Sequence, residues 1–235
     1  MVGDGNLRTL FLIPARGGSK GVPRKNARLL GGQSLVKWAI DTARSSTFYG
    51  DIVVSSDDVE ILKSSREAGA KTLVRPMDLA TDTAKSIDVV IHALESMDPE
   101  GSKYSEVCLL QPTTPFRYPS KVDEAIKLVR SKKFVSVVSV SEVPSHYNPH
   151  WAFFAQADFE LETVMPGPLV TRRQELPTAY VRDGAIYVNS QRGLRESNGF
   201  IAKPLGYVTD ACEANINIDT PQDWEAAVQF ANGER

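Results

Sequence analysis

Residues 14–26 read Pro-Ala-Arg-Gly-Gly-Ser-Lys-Gly-Val-Pro-Arg-Lys-Asn, with three glycines and four cations in one turn. Glycines let the backbone approach a ligand closely and aim successive N–H groups at it, the arrangement that cradles phosphate. Arg16, Lys20, Arg24 and Lys25 supply the positive charge that a polyphosphate needs. A solvated basic loop has the same composition, so both readings stand on these residues alone. The turn is neither a Walker loop, which needs Gly-Lys-Ser/Thr, nor the Gly-x-Gly-x-x-Gly turn of a dinucleotide fold. Far along the chain, Asn215, Asn217 and Asp219 alternate with Ile216 and Ile218, which places the three polar side chains on one face of an extended segment. Oxygen ligands so spaced suit a hard divalent cation such as Mg²⁺. A helix-capping turn ahead of Pro221 explains part of the same pattern.

Three further groups lie between. Arg75 precedes Thr81-Asp82-Thr83 and Ser86, which read either as a helix cap or as a site edge. Gln111-Pro112-Thr113-Thr114-Pro115 ends an apolar run with an amide and hydroxyls able to donate and accept hydrogen bonds, although turn chemistry alone also accounts for it. Arg172-Arg173-Gln174 offers guanidinium forks that grip a carboxylate, or a solvated arginine pair. His92, His146 and His150 have no ligand spacing, and no Ser/His/Asp or Cys/His nucleophile arrangement stands out.

The elements that must position these groups alternate. Apolar runs at residues 9–13, 52–55, 71–74, 107–110 and 135–140 read as strands. Helical spacing occupies 34–44, 59–68, 86–97 and 122–131, with Asp57 and Asp58 ahead of the second helix as caps. Four strand–helix alternations predict an α/β fold built on a doubly wound, mostly parallel sheet. Ligands of such sheets bind beyond the carboxyl ends of the strands, which gathers the loops after residues 13, 74 and 110 on one edge. Residues 142–182 break the pattern with five prolines and clustered aromatics, and read as an inserted β-rich arm within a single domain spanning 1–235. Strands at 185–189 and 207–208 follow, then a closing helix at 222–230 announced by Thr220-Pro221.

Composition bounds the rest. A chain of 235 residues, 42% hydrophobic and 24% charged, buries one sizeable core. A formal net charge of -2 gives no global field for nucleic acid or a membrane surface, so any anion site is local. Two distant cysteines, Cys108 and Cys212, suggest no disulfide framework or zinc pattern. The lack of a signal-peptide segment or transmembrane run predicts a cytoplasmic protein.

Residues 14–21 with Pro23-Arg24-Lys25-Asn26 closely resemble the signature loop of the acylneuraminate cytidylyltransferases, the CMP-sialic acid synthetases and their relatives. The segments around Arg75–Ser86, Gln111–Arg117, Arg172–Asn189 and Asn215–Thr220 resemble that family's other motifs in family order, over roughly residues 8–230. The resemblance implies a Rossmann-like nucleotidyltransferase fold with a dimerisation arm at 142–182, and a homodimer. It implies transfer of CMP from CTP to the anomeric hydroxyl of a 2-keto-3-deoxy nonulosonic acid, with Mg²⁺ as cofactor and no nucleic acid or membrane partner. Carried over residue by residue, it assigns catalysis to Arg16, Lys20, Lys25 and Asp219. It assigns the nucleotide to Ala15, Arg16, Gly17, Ser19, Lys20, Lys25, Asn26, Arg75, Asp82 and Ser86. The sugar falls to Gln111, Thr113, Arg173, Gln174, Asp183 and Tyr187, and the metal to Asp219 with Asn217.

Three departures stand out. The family often has Asn-Gly where Asp183-Gly184 stands, and Trp151 follows His150 where sialic acid enzymes tend to carry a basic residue. Both point away from N-acetylneuraminate toward related nonulosonates such as legionaminic acid. Asn217 replaces the first aspartate of the family's Asp-Ile-Asp-Thr, which removes one negative charge from the metal site. The alternatives are a CMP-synthetase for another keto-deoxy acid, such as legionaminic acid, pseudaminic acid or Kdo, and a catalytically silent nucleotide-sugar binding protein. The absence of an acidic Gly-Asp-x-Pro element at the strand end after Leu110 argues against Kdo.

Overall fold

The computed structural model describes residues 8–19, 21–197 and 199–233. Strand β1 (Arg8–Pro14) carries five successive buried residues, the mark of a strand covered on both faces. Alternation sends Phe11 and Ile13 into one core layer and Leu10 and Leu12 into the other. A two-residue hairpin, β2 (Leu29–Leu30) with β3 (Gln33–Ser34), turns through Gly31 and Gly32, both at positive φ. Ser34 then caps α1 (Leu35–Arg44) by accepting the Lys37 N–H. Leu35 and Ile40 on its inner face are fully buried, each contributing about 2 kcal/mol.

Strand β4 (Gly50–Ser56) leads into α2 (Val59–Glu67), capped by Asp58, which accepts the N–H groups of Glu60 and Ile61. β5 (Lys71–Val74), α3 (Ser86–Met97), β6 (Tyr104–Leu109), α4 (Pro119–Arg130) and β7 (Ser136–Glu142) complete the alternation. A small ribbon, β8 (Phe153–Ala155) with β9 (Leu161–Thr163), precedes β10 (Tyr180–Ser190), α5 (Gln191–Ser197), β11 (Leu205–Thr209) and α6 (Pro221–Ala231).

Seven strands form one sheet in the order β11-β7-β10-β6-β1-β4-β5. All neighbours are parallel except β10, which runs antiparallel to both β6 and β7. α1 and α4 cover one face, packing Val36, Ala39, Ile40, Val122 and Ile126 on Phe11 and Ile13. α3 covers the other with Ile87, Val90 and Leu94. This is a doubly wound, mostly parallel α/β sheet, as the alternating pattern predicts.

Three details differ from the sequence expectation. β10 begins at Tyr180, because Tyr180 to Arg182 pair with Glu142 to Val140, so the irregular insertion shrinks to residues 143–179. α5 was hidden by its composition: its buried residues are Gln191, Gly193 and Leu194, which leave no apolar period to read. Residues 215–219 belong to no ladder; the Ile218 N–H instead donates to the Thr113 carbonyl at 2.8 Å. No helix among the described residues is long and apolar enough to cross a membrane.

Candidate active site

Four segments meet at the carboxyl ends of β1, β5 and β6 and enclose a cleft of about 340 Å³. The glycine turn and the segment ending in Asp219 are joined by a third core cluster, in which Val22 of the turn packs with Ile218, Phe116, Leu35 and Trp224. The turn and the late acidic segment therefore share one apolar anchor. Gly21 completes the closure, because a Cβ there would collide with the Asp219 carbonyl oxygen. Behind Asp219, α6 is held by a capping box in which the Asp223 carboxylate accepts the Thr220 N–H at 2.7 Å and the Asp219 N–H at 3.0 Å. Those bonds hold the Asp223 carboxyl below the usual range.

Arg16, Ser19, Lys25 and Asn26 line the cleft from the turn. Arg16 pairs with Asp82 at 2.6 Å, and the Lys25 ammonium bonds Asp219 Oδ1 at 3.0 Å and the Ile218 carbonyl. Asn26 donates from Nδ2 to the Arg16 carbonyl at 2.9 Å, while its buried Oδ1 has no protein partner. That orphaned acceptor is what a hydroxyl or amino group of a ligand would satisfy. Ala15 and Gly17 shape the cleft without lining it: the Ala15 N–H goes to the Ser55 carbonyl and the Gly17 N–H to Asp57 Oδ1. Lys20 lies outside the described residues. Arg24 turns away at φ 51 and pairs with Glu60 and Asp58 on α2.

From the opposite wall come Arg75, Asp82 and Ser86. Arg75 is 5% exposed and donates to the Ser55 carbonyl at 2.7 Å. Burial pushes its guanidinium down to about 10, with Asp57 pulling the other way and Arg16 adding to the depression. It therefore carries its charge at neutral pH. Thr81-Asp82-Thr83 is not a helix cap; Lys85 holds that position and makes no side-chain capping bond, so the start of α3 meets the cleft uncapped through Ser86.

Gln111 and Thr113 line the cleft beside Asp219. The remaining sugar candidates stand apart from it. Asp183 accepts the Ala185 N–H at 2.9 Å and the Ser139 hydroxyl, and borders a separate hollow of about 240 Å³ with Glu142, Tyr180 and Asn215. Tyr187 is half-buried against Phe200, and that burial raises its phenol. Arg173 and Gln174 sit on an exposed single turn, Arg173–Glu175, and line no part of the cleft.

The donor set also tests the expected metal. No group of three or more His, Cys, Asp or Glu side chains that could hold a metal occurs among the described residues. Asp219 offers one carboxylate, whose Oδ2 accepts the Asn217 amide at 2.7 Å. This chemistry fits Mg²⁺ delivered with a polyphosphate and retaining waters, not a protein cage. Sequence reasoning missed Ser55 and Asp57, which seat Arg75 and Gly17; two adjacent aspartates before a helix were the available signal, since only one of them can cap.

A cytidylyltransferase family model matches residues 10–195. Over 225 residues the chain is 36% identical to the CMP-N,N'-diacetyllegionaminic acid synthase of Legionella pneumophila, covering 93% of this chain and 94% of that one. It is 32% identical to the pseudaminic acid cytidylyltransferase of Campylobacter jejuni, covering 94% and 95%. It is also 32% identical to the N-acylneuraminate cytidylyltransferase of Escherichia coli, covering 94% of this chain and 51% of that one. Among solved structures, a CMP:2-keto-3-deoxy-manno-octonic acid synthetase complexed with CTP shares the fold at TM-score 0.73 and 14% identity, covering 97% of this chain and 100% of that one. The family match and these relatives make the chain a nucleotidyltransferase. Within that class, the chain belongs to the cytidylyltransferase family, alongside the acylneuraminate, legionaminate and pseudaminate enzymes.

Proposed function

We propose that this enzyme transfers CMP from CTP to the anomeric hydroxyl of a 2-keto-3-deoxy nonulosonic acid and releases pyrophosphate. The observation that carries the reading is the meeting of Arg16, Lys25 and Asp219 in one cleft, held there by the Gly21 contact. The anomeric oxygen attacks the α-phosphorus in line, the bond to the bridging oxygen of the β-phosphate breaks, and the hydroxyl proton is lost to solvent. Catalysis is positioning plus charge neutralisation.

Two cations of the cleft already rest against carboxylates, Arg16 on Asp82 and Lys25 on Asp219. A triphosphate competes for both, so binding exchanges an internal ion pair for a ligand contact at little desolvation cost. Arg16 and Lys25 then face the departing pyrophosphate, and the family resemblance assigns the same role to Lys20. Asn26, Arg75 and Ser86 hold the nucleoside, with the open start of α3 favouring negative charge. Asp219, with Asn217 beside it, would hold Mg²⁺, which supplies charge neutralisation on the phosphate oxygens when bound.

The acceptor lies against Gln111 and Thr113. Its carboxylate is met by Arg173 and Gln174 of a second copy, because these residues do not reach the cleft of their own chain. The exposed Phe153, Phe154, Phe159 and Leu161 of the insertion form the matching apolar surface of a homodimer. A cytoplasmic site of action supplies the CTP.

The test is a panel of legionaminic, pseudaminic, N-acetylneuraminic and 3-deoxy-manno-octulosonic acids with CTP and Mg²⁺, read for pyrophosphate. Release with a nonulosonic acid is expected. Tight CTP binding without release on any sugar would identify a silent nucleotide binder instead, the outcome that Asn217 would explain.

A further inference from the structure

Beneath the turn that carries Gln111 sits a buried charge without an ion pair. Arg117 is 6% exposed, and its partners are all neutral. Nε donates to the Ala185 carbonyl at 2.6 Å, and Nη2 donates to the Thr114 hydroxyl at 2.7 Å and to the Gln111 carbonyl. Nη1 is buried with no partner. Burial pushes the guanidinium down to about 10 against the pull of neighbours that include Asp183, so it stays charged at neutral pH. Burying a cation against neutral oxygens is costly, and an apolar side chain of similar size would pack there more cheaply.

What the guanidinium provides in return is a rigid fork. The ladder between β10 and β7 breaks between Arg182 and Tyr187, and pairing of β10 with β6 begins only at Tyr187. Within the break, Gly184 takes a positive φ. Side chains satisfy the freed backbone: Asp183 takes the Ala185 N–H, Ser139 takes the Ile186 N–H, and Arg117 takes the Ala185 carbonyl. The other donors of Arg117 reach the Gln111–Thr114 turn. One side chain thus ties the bulge between Asp183 and Tyr187 to the turn that presents Gln111 and Thr113 to the cleft. Its backbone adds a third tie, the bridge from Arg117 to Cys212 at the head of the segment running to Asp219.

We infer that Arg117 is a positioning residue for the acceptor: by clamping the Gln111 carbonyl to the β10 bulge, it fixes where the Gln111 amide meets the sugar acid. The inference rests on the proposed function for its substrate and on geometry alone for the clamp. Two readouts keep those apart. In Arg117→Lys, which keeps the charge and loses the fork, amide hydrogen exchange across residues 111–115 should rise about tenfold while β1 and β4 stay protected. Unchanged exchange overturns the clamp, whatever the enzyme acts on.

With the sugar acid that the wild type turns over fastest, Arg117→Lys should raise the acceptor KM about tenfold while the CTP dissociation constant stays within about twofold. In a Gln111→Ala background the same change should move the acceptor KM less than about threefold, because the residue acts through Gln111. Independent, multiplying effects would reduce Arg117 to a structural role and overturn the inference. If Arg117→Lys does not fold, Thr114→Val removes one arm of the clamp and should raise the acceptor KM about threefold; no change there overturns it equally.

Discussion

The cleft and the insertion at residues 143–179 are built by opposite means. The walls of the cleft follow strand ends and a helix start, and its charged side chains Arg16, Asp82, Lys25 and Asp219 are paired with one another. The insertion hangs on little. A three-residue ribbon, the Trp151 indole bonded to the Val170 carbonyl and the Asn148 amide bonded to the Pro177 carbonyl are its main fastenings. Large apolar side chains at Phe153, Phe154, Phe159, Leu161 and Leu169 face outward. One region is packed within the single chain; the other leaves large apolar side chains exposed. Under the proposed function, the nucleotide half of the reaction is preorganised, and the acceptor half is completed by a second copy.

Removing a group from the packed region should have the largest effect. Arg16→Ala or Asp219→Ala is expected to lower pyrophosphate release about 100-fold or more while leaving the melting temperature close to wild type. Near-normal release would break the assignment of the cleft. The contrast is sharpened by Phe154→Asp with Phe159→Asp, placed on the open region. Sedimentation velocity should report a monomer, and the acceptor KM should rise about tenfold with CTP affinity unchanged. A persistent dimer with normal KM would detach the insertion from the acceptor site.

Asn217→Asp is a gain, not a loss. Restoring the second carboxylate should lower the half-saturating Mg²⁺ concentration about threefold, measured as the metal dependence of initial rate. The smallest effect belongs to Arg24→Ala. Its cation sits in the signature turn but pairs with exposed Glu60 and half-buried Asp58, so kcat/KM should change less than about twofold.

Arg24 and Arg16 also show where sequence stops being informative. Both are arginines in one loop, and composition treats them alike; the positive φ at Arg24 sends one outward and leaves the other in the cleft. The parallel strands were legible because burial on both faces demands unbroken apolar runs. β10 was half-legible, since its first residues, Tyr180 to Arg182, are exposed and polar enough to read as insertion. Asp219 and the turn could be paired from the sequence only through resemblance, because nothing local says that Val22 and Ile218 share an apolar cluster. Arg117 read as one more cation at the end of a motif. Its burial follows from the break in β10, which no periodicity signals.

The contact between Gly21 and Asp219 has a consequence for how the protein is made. All eleven strands among the described residues precede Asp219 in the chain, so the sheet's sequence is complete while the turn at residues 14–26 still lacks the residue that closes over it. Synthesis from the amino end thus delivers the scaffold first and the proposed catalytic cleft last. A product stopped short of residue 211 contains the sequence of every described strand but lacks Asp219, and under the proposed function it is expected to release no pyrophosphate.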